Sequence, residues 1–174
     1  MDTDKKCCIS QLNHLKQEEF VRVIGPVFEH SPWIAEATWT KRPFANLENL
    51  HASLCETVAQ LDESKKLDLL RAHPDLVGRA ALAGTLTSAS AREQASAGLD
   101  RLTPQEIALF QQHNREYWKK FGFPFVICAR LNKKEAILAG FTPRLQHSCA
   151  QEIETALVEI GKIAWLRLQD LIKI

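Results

Sequence analysis

Three residues stand where side chains could do chemistry without a bound group. His73 lies in Arg71-Ala72-His73-Pro74-Asp75-Leu76, where a helix end and a proline fix the backbone around the side chain that titrates near neutral pH. It can act as a general acid or base, or close the helix C-terminus through its charge or a hydrogen bond. Glu93 lies in Ser90-Ala91-Arg92-Glu93-Gln94. Ser90 and Glu93 have capping-box spacing, so the carboxylate can satisfy a backbone donor at a helix start; beside a small-residue loop it can equally face a ligand or orient His73. Arg167 sits in the apolar stretch Trp165-Leu166-Arg167-Leu168, where a guanidinium either joins the solvated face or forks onto a carboxylate or carbonyl in a cleft.

Nothing else in the chain has cofactor chemistry. There is no Gly-rich strand-to-helix turn for phosphates, no Walker lysine and no HExxH pair. The other histidines, at 14, 30, 51, 113 and 147, stand singly, and the five cysteines (Cys7, Cys8, Cys55, Cys128, Cys149) lack paired metal-ligand spacing. The expectation is no cofactor and no metal. Chemistry done by side chains alone restricts the reaction to steps whose electron sink is in the substrate.

Helices must position these residues. The clearest begins with Thr103 as cap, Pro104 at the first helical position and Glu106 completing a capping box, and it runs to about Phe121, where Gly122 and Pro124 stop it. Ser10 opens a helix carrying Leu12, Leu15, Phe20 and Val23, and Ser31-Pro32-Trp33 opens a short one. A further helix spans Leu47 to Gln60, and another starts at Ser64 and ends near Ala72, because His73 precedes Pro74. Ile153, Leu157, Ile160, Ala164, Leu168 and Leu171 form an apolar stripe at helical spacing, marking the longest helix. Two stretches break the pattern. The run FPFVICA, Phe123 to Ala129, reads as an extended buried segment because it is short, apolar and contains proline. Ala80 to Ser90 reads as a loop leading into a helix that Ser88 or Ser90 begins.

With 174 residues, 45% hydrophobic and 25% charged, the composition fits one all-α domain, a single-domain helical bundle over residues 1–174 with an extended segment at 123–129. The 22 basic and 21 acidic residues nearly cancel, which disfavours nucleic-acid binding, and no apolar run approaches a membrane span. The start Met1-Asp2-Thr3-Asp4-Lys5-Lys6 has no apolar signal region, so a reducing compartment is expected.

Taken together, several blocks resemble one family. They are Glu29-His30-Ser31-Pro32-Trp33-Ile34-Ala35, Arg42-Pro43-Phe44, AHPDLVGRAALAG from Ala72, SAREQASAGLDRL from Ser90, and Asn114 to Arg130 ending FGFPFVICAR. From about Leu12 to Leu171 the chain resembles the 2-oxo-4-hydroxy-4-carboxy-5-ureidoimidazoline (OHCU) decarboxylases of urate degradation. The resemblance implies an all-helical, cofactor-free homodimeric carboxy-lyase that converts OHCU to (S)-allantoin. It implies catalytic roles for His73 and Glu93, and substrate contacts from Pro74, from Ser90, Ala91, Arg92, Glu93 and Gln94, and from Phe125, Val126, Ile127, Cys128 and Ala129. Arg167 resembles the family's substrate-binding arginine.

The implied chemistry suits side chains alone. OHCU carries a carboxylate and a hydroxyl on one ring carbon beside a C=N bond, so the electrons released with carbon dioxide can flow into that imine. The resemblance also suggests a peroxisomal setting: in Leu171-Ile172-Lys173-Ile174 the lysine stands where the peroxisomal tripeptide has one, though Ile172 and Ile174 depart from it. Without the resemblance the chain reads as a cytosolic helical domain. One rival is a helical module that binds a purine-like ligand or a partner helix without turnover. Another is a metal-dependent hydrolase using His73, Asp75 and Glu93.

Overall fold

The computed structural model describes residues 7–173; the readings that concern residues 1–6 and Ile174 lie outside them. Among the described residues the elements are ten α-helices, three short 3-10 turns and two two-residue strands, an all-α architecture as the sequence predicts. No described helix is long and apolar enough to cross a membrane. The chain forms two compact units, one running up to Lys66 and resuming at Gly161, the other comprising Leu67–Ile160.

The first unit contains strand β1 (Cys7–Cys8), α1 (Ile9–His14), α2 (Gln17–Ile24), α3 (Trp33–Thr38) and α4 (Leu47–Ala59). The C-terminal strand β2 (Ile172–Lys173) pairs in parallel with β1, Cys7 opposite Ile172, a pairing with no signal in the sequence. Helices α2, α3 and α4 pack in sequence order, with Leu12, Phe20, Ile24, Ile34, Leu50 and Leu54 fully buried.

The single helix expected from Ser10 is two. At Leu15 the backbone turns extended, and Lys16 starts α2 with Glu19 Oε2 accepting from its amide at 3.2 Å. The reason lies in the Arg42-Pro43-Phe44 block. Arg42 Nη1 donates to the carbonyls of Asn13 (2.9 Å) and Leu15 (2.8 Å), and the Asn13 side chain bonds both the amide and the carbonyl of Phe44. The two Arg42 bonds take carbonyls that a continuing helix would use, and the Asn13 bonds tie the same segment to Phe44.

The second unit contains α6 (Arg79–Leu82), α7 (Ser88–Ser96), α8 (Pro104–Phe121) and α9 (Lys134–Arg144). Residues of α5 (Glu63–Arg71) and α10 (Cys149–Leu171) belong to both units. Helix α8 has the expected ends: Thr103 accepts from Glu106, the Glu106 side chain returns the bond, and Gly122 takes the left-handed conformation at φ 74°. Helix α10 is the longest of the ten, with Ile153, Ile160, Ala164 and Leu168 buried along the predicted stripe.

Two further expectations need correction. A one-turn helix, α6, interrupts the Ala80–Ser90 loop, and neither Ser88 nor Ser90 caps α7. Thr87 does, its hydroxyl accepting from the Ser90 amide at 3.3 Å. Helix α9 gave no readable signal, since Gly140 and Pro143 lie inside it. The glycine allows close approach: a Cβ there would stand 3.4 Å from Phe125 Cζ and 4.0 Å from Ile127 Cδ1. Around α8 and α9 the unit's core is aromatic, with Tyr117 edge-on to Phe125 and Phe123, and Phe125 stacked on Phe141 at 3.9 Å.

Candidate active site

Helix α5 ends at Arg71; the Ala72 amide still reaches the Asp68 carbonyl at 3.0 Å, and the His73 amide, directly before Pro74, tightens to the Leu70 carbonyl at 3.2 Å. His73 turns its Nδ1 back to the Leu69 carbonyl at 3.0 Å. The carbonyl can only accept, so Nδ1 carries the proton and the lone pair of the neutral ring is on Nε2. Both sequence readings of this histidine are thus compatible, because closing the last turn of α5 through Nδ1 does not exclude acid-base chemistry at Nε2.

The loop after His73 is held from α7 and α8 by neutral side chains. Trp118 Nε1 donates to Asp75 Oδ1 at 2.7 Å, Asn114 Nδ2 to the Leu76 carbonyl at 2.8 Å, and the Val77 amide to Gln94 Oε1 at 3.2 Å. Val77 has φ 55°, a left-handed conformation that a β-branched residue adopts only under constraint, at a cost of about 1–3 kcal/mol. Gly78 completes the turn, because a Cβ there would fall 2.5 Å from Asp75 Cβ. Burial pushes the Asp75 carboxyl above its ordinary range, and the Trp118 N–H offsets part of that rise.

Helix α7 sorts the Ser90–Gln94 segment by face. Ser90 and Gln94 are buried and Glu93 is half-buried, whereas Ala91 and Arg92 are exposed. With Thr87 as cap, Glu93 stands three residues beyond the capped Ser90 amide, so the capping-box reading of Glu93 falls away. Gln94 uses its carbonyl oxygen on Val77, which reserves its amide nitrogen as a donor. The same helix packs on the 3-10 turn Ala129–Leu131. The unit therefore gathers the His73 loop, the Glu93 helix and the end of the FPFVICA run.

After a bend at Phe123 that run is non-helical from Pro124 to Cys128, where the backbone is extended, while Ala129 already belongs to the 3-10 turn. Its backbone is held by charged side chains the sequence reading did not single out. Arg144 Nη1 donates to the Val126 carbonyl at 2.6 Å, and the Cys128 amide donates to Glu159 Oε2 at 2.8 Å. The Arg144 guanidinium lies 4.3 Å over the Phe125 ring. Its counter-charge is Glu152, 0% exposed, which accepts from Arg144 Nε at 2.5 Å, from the Tyr117 hydroxyl, and from His147 Nδ1 at 2.7 Å. Burial, and then the bond to Glu152, push the Tyr117 hydroxyl far above its ordinary value, keeping it a donor. The one available clue was position: Glu152 directly precedes Ile153, the first residue of the apolar stripe.

Arg167 belongs to the first unit, where it is 5% exposed and its Nη1 lies 3.0 Å from Glu29 Oε2. Glu29 opens the first of the blocks that carry the family resemblance. Among the described residues, no group of three or more His, Cys, Asp or Glu side chains is arranged to hold a metal ion.

A family model described as OHCU decarboxylase matches residues 13–169. The 2-oxo-4-hydroxy-4-carboxy-5-ureidoimidazoline decarboxylase of Amia calva is 45% identical over 94% of this chain and 93% of its own length. The crystal structure of an (S)-allantoin synthase superposes with a TM-score of 0.76 at 29% identity, over 96% of this chain; the chain spans about half (54%) of that structure. An OHCU decarboxylase crystallised in the presence of (S)-allantoin superposes with a TM-score of 0.70 at 23% identity, over 90% of this chain and 98% of its own, a likeness of fold.

Proposed function

Because the chain belongs to the OHCU decarboxylase family, we propose that it is a carboxy-lyase that converts OHCU to (S)-allantoin in urate degradation. The observation that carries the reading is the state of His73. Its ring is fixed through Nδ1 on Leu69, its basic nitrogen is Nε2, and the loop that follows it is tied to the helix bearing Glu93. A base with a defined tautomer on a held backbone is what directed proton transfer needs.

The reaction breaks the bond between the ring carbon and its carboxylate. Carbon dioxide leaves, its electron pair forms a C=C bond as the neighbouring C=N opens onto nitrogen, which takes a proton; the hydroxyl then gives up its proton to become the ring carbonyl as another proton adds to one face of the former C=N carbon. His73 and Glu93 hold and deprotonate the hydroxyl or steer the proton that reaches carbon; Ser90, Gln94 and the Phe125–Ala129 backbone hold the ring. Pro74, Ala91, Arg92 and Arg167 enter through the family resemblance, Arg167 as a charge-balancing group. A homodimer and a peroxisomal setting belong to the same proposal on the same ground, and sedimentation and the location of a tagged chain in cells test them.

The enzymatic test is freshly generated OHCU followed by circular dichroism of the allantoin. Spontaneous decay has no preferred face and gives racemic product, whereas a barrier difference of about 2.7 kcal/mol between faces already gives a hundredfold preference. The protein is expected to accelerate decay and yield the (S) enantiomer. His73→Asn is expected to lower turnover by about two to four orders of magnitude, and Glu93→Gln to abolish it with stability held within about 0.5 kcal/mol. Racemic product from the wild-type protein would sink the directed-protonation reading, and a protein that leaves OHCU decay unchanged would sink the function.

A further inference from the structure

We propose that Arg144 and Glu152 are positioning residues that turn the Ile127 amide towards the substrate by holding the Val126 carbonyl, at the other end of the same trans peptide group, inward. The inference rests on the decarboxylase reading, within which the Phe125–Ala129 segment meets the ring.

A chain that is neither helix nor strand must spend its backbone polar groups on side chains, water or a ligand. In this segment the protein takes two of them from opposite sides of one residue. The Val126 carbonyl accepts from Arg144, and the Cys128 amide donates to Glu159. The Cys128 carbonyl is also taken, accepting from the Leu131 amide at 3.1 Å and from Asn132 Nδ2 at 2.9 Å. Ile127 lies between these anchors. Its own amide and carbonyl make no hydrogen bond among the described residues, and it is the one residue from Phe123 to Ala129 that is not buried. The amide and carbonyl of this one half-exposed residue, each the outer end of a peptide group anchored at its other end, offer an adjacent donor and acceptor that match the edge of a planar ureido-imidazole ring, which offers alternating N–H and C=O groups.

Arg144 fixes this arrangement only if its own geometry is fixed. Its Nε is committed to Glu152, its Nη1 to Val126, and its flat face to the Phe125 ring. Glu152 is in turn held by Tyr117 and His147. A planar guanidinium can serve the carboxylate and the carbonyl at once, which a lysine ammonium at the end of a flexible stem cannot do with the same geometry. The inward pull on Val126 is therefore a property of this arginine and carboxylate together.

Positioning and plain stability separate in a triple variant, Arg144→Met with Glu152→Leu and Tyr117→Phe. It replaces the buried pair and its phenol by apolar groups of similar volume, a change that folded proteins often accept. Helical circular dichroism and cooperative melting are expected to persist. On OHCU the KM should rise and kcat/KM fall at least tenfold, with more of the (R) enantiomer in the product. Leu54→Ala, a core change in the first unit, serves as the stability control: it lowers the melting temperature and leaves the enantiomer ratio unchanged. A folded triple variant with wild-type KM and pure (S) product overturns the positioning role while wild-type turnover leaves the decarboxylase reading standing. If the triple variant does not fold, Arg144→Lys decides, since it keeps the charge opposite Glu152. A raised KM and mixed enantiomers support the role, and wild-type values overturn it. A wild-type protein without activity on OHCU overturns both readings together.

Discussion

Two irregular segments of the second unit solve one problem by different means. The His73 loop has its backbone satisfied by neutral groups, the amides of Asn114 and Gln94, with the Trp118 indole steadying the Asp75 side chain. The FPFVICA run is held by charges, Arg144 on Val126 and Glu159 on Cys128, with Glu152 buried beneath. Neutral bonds are separable: each contributes about 1 kcal/mol, and losing one leaves the others standing. A buried ion network is not separable, because removing one member strands the charge of the next. The loop bearing His73 is therefore built from small independent ties, and the segment expected to meet the ring from one cooperative unit.

The sharpest way to break this contrast is Glu152→Ala, which leaves Arg144 buried without its counter-charge. It should lower the unfolding free energy by about 3–5 kcal/mol, measured by denaturant titration, and a loss below about 1 kcal/mol would make the two segments alike. Asn114→Ala should cost less, about 1–3 kcal/mol, since it leaves the Leu76 carbonyl unpaired but strands no charge. Thr87→Ala removes the α7 cap and should cost about 1 kcal/mol; a cost near zero would return the cap to Ser90 and reopen the capping role of Glu93.

The smallest effect concerns Asp75. Its carboxyl titrates above the ordinary 3.8 because of burial, so the folded protein binds that proton more tightly than the unfolded chain does. The contribution of Asp75 to stability therefore falls as pH rises from 3.8 to the folded value and is constant above it. Asp75→Asn keeps an acceptor for Trp118 and cannot ionise. It should remove that decline, so the difference in melting temperature between variant and wild type should grow over this pH window; a constant difference would show that Asp75 does not titrate abnormally.

Sequence determined what local chemistry suffices to determine. The ends of α8 follow from Thr103, Pro104, Glu106 and Gly122, the end of α5 from Pro74, and the non-helical character of FPFVICA from its length and proline, because capping and proline sterics act within a few residues. The blocks around His73 and Glu93 were legible as a family resemblance for the same reason, being contiguous in the chain. Tertiary structure alone decided which residues hold these blocks. Arg144 and Val126 are 18 residues apart, Tyr117 and Glu152 35, and Asn114 and Leu76 38. No periodicity links such pairs, and the helix that carries Arg144 was itself hidden by Gly140 and Pro143. The split between α1 and α2 has the same origin, since the guanidinium that takes the Leu15 carbonyl comes from Arg42, 27 residues away. The tautomer of His73 was also beyond the sequence: it depends on where a side chain places one nitrogen, and that is set by how the end of α5 folds back on itself.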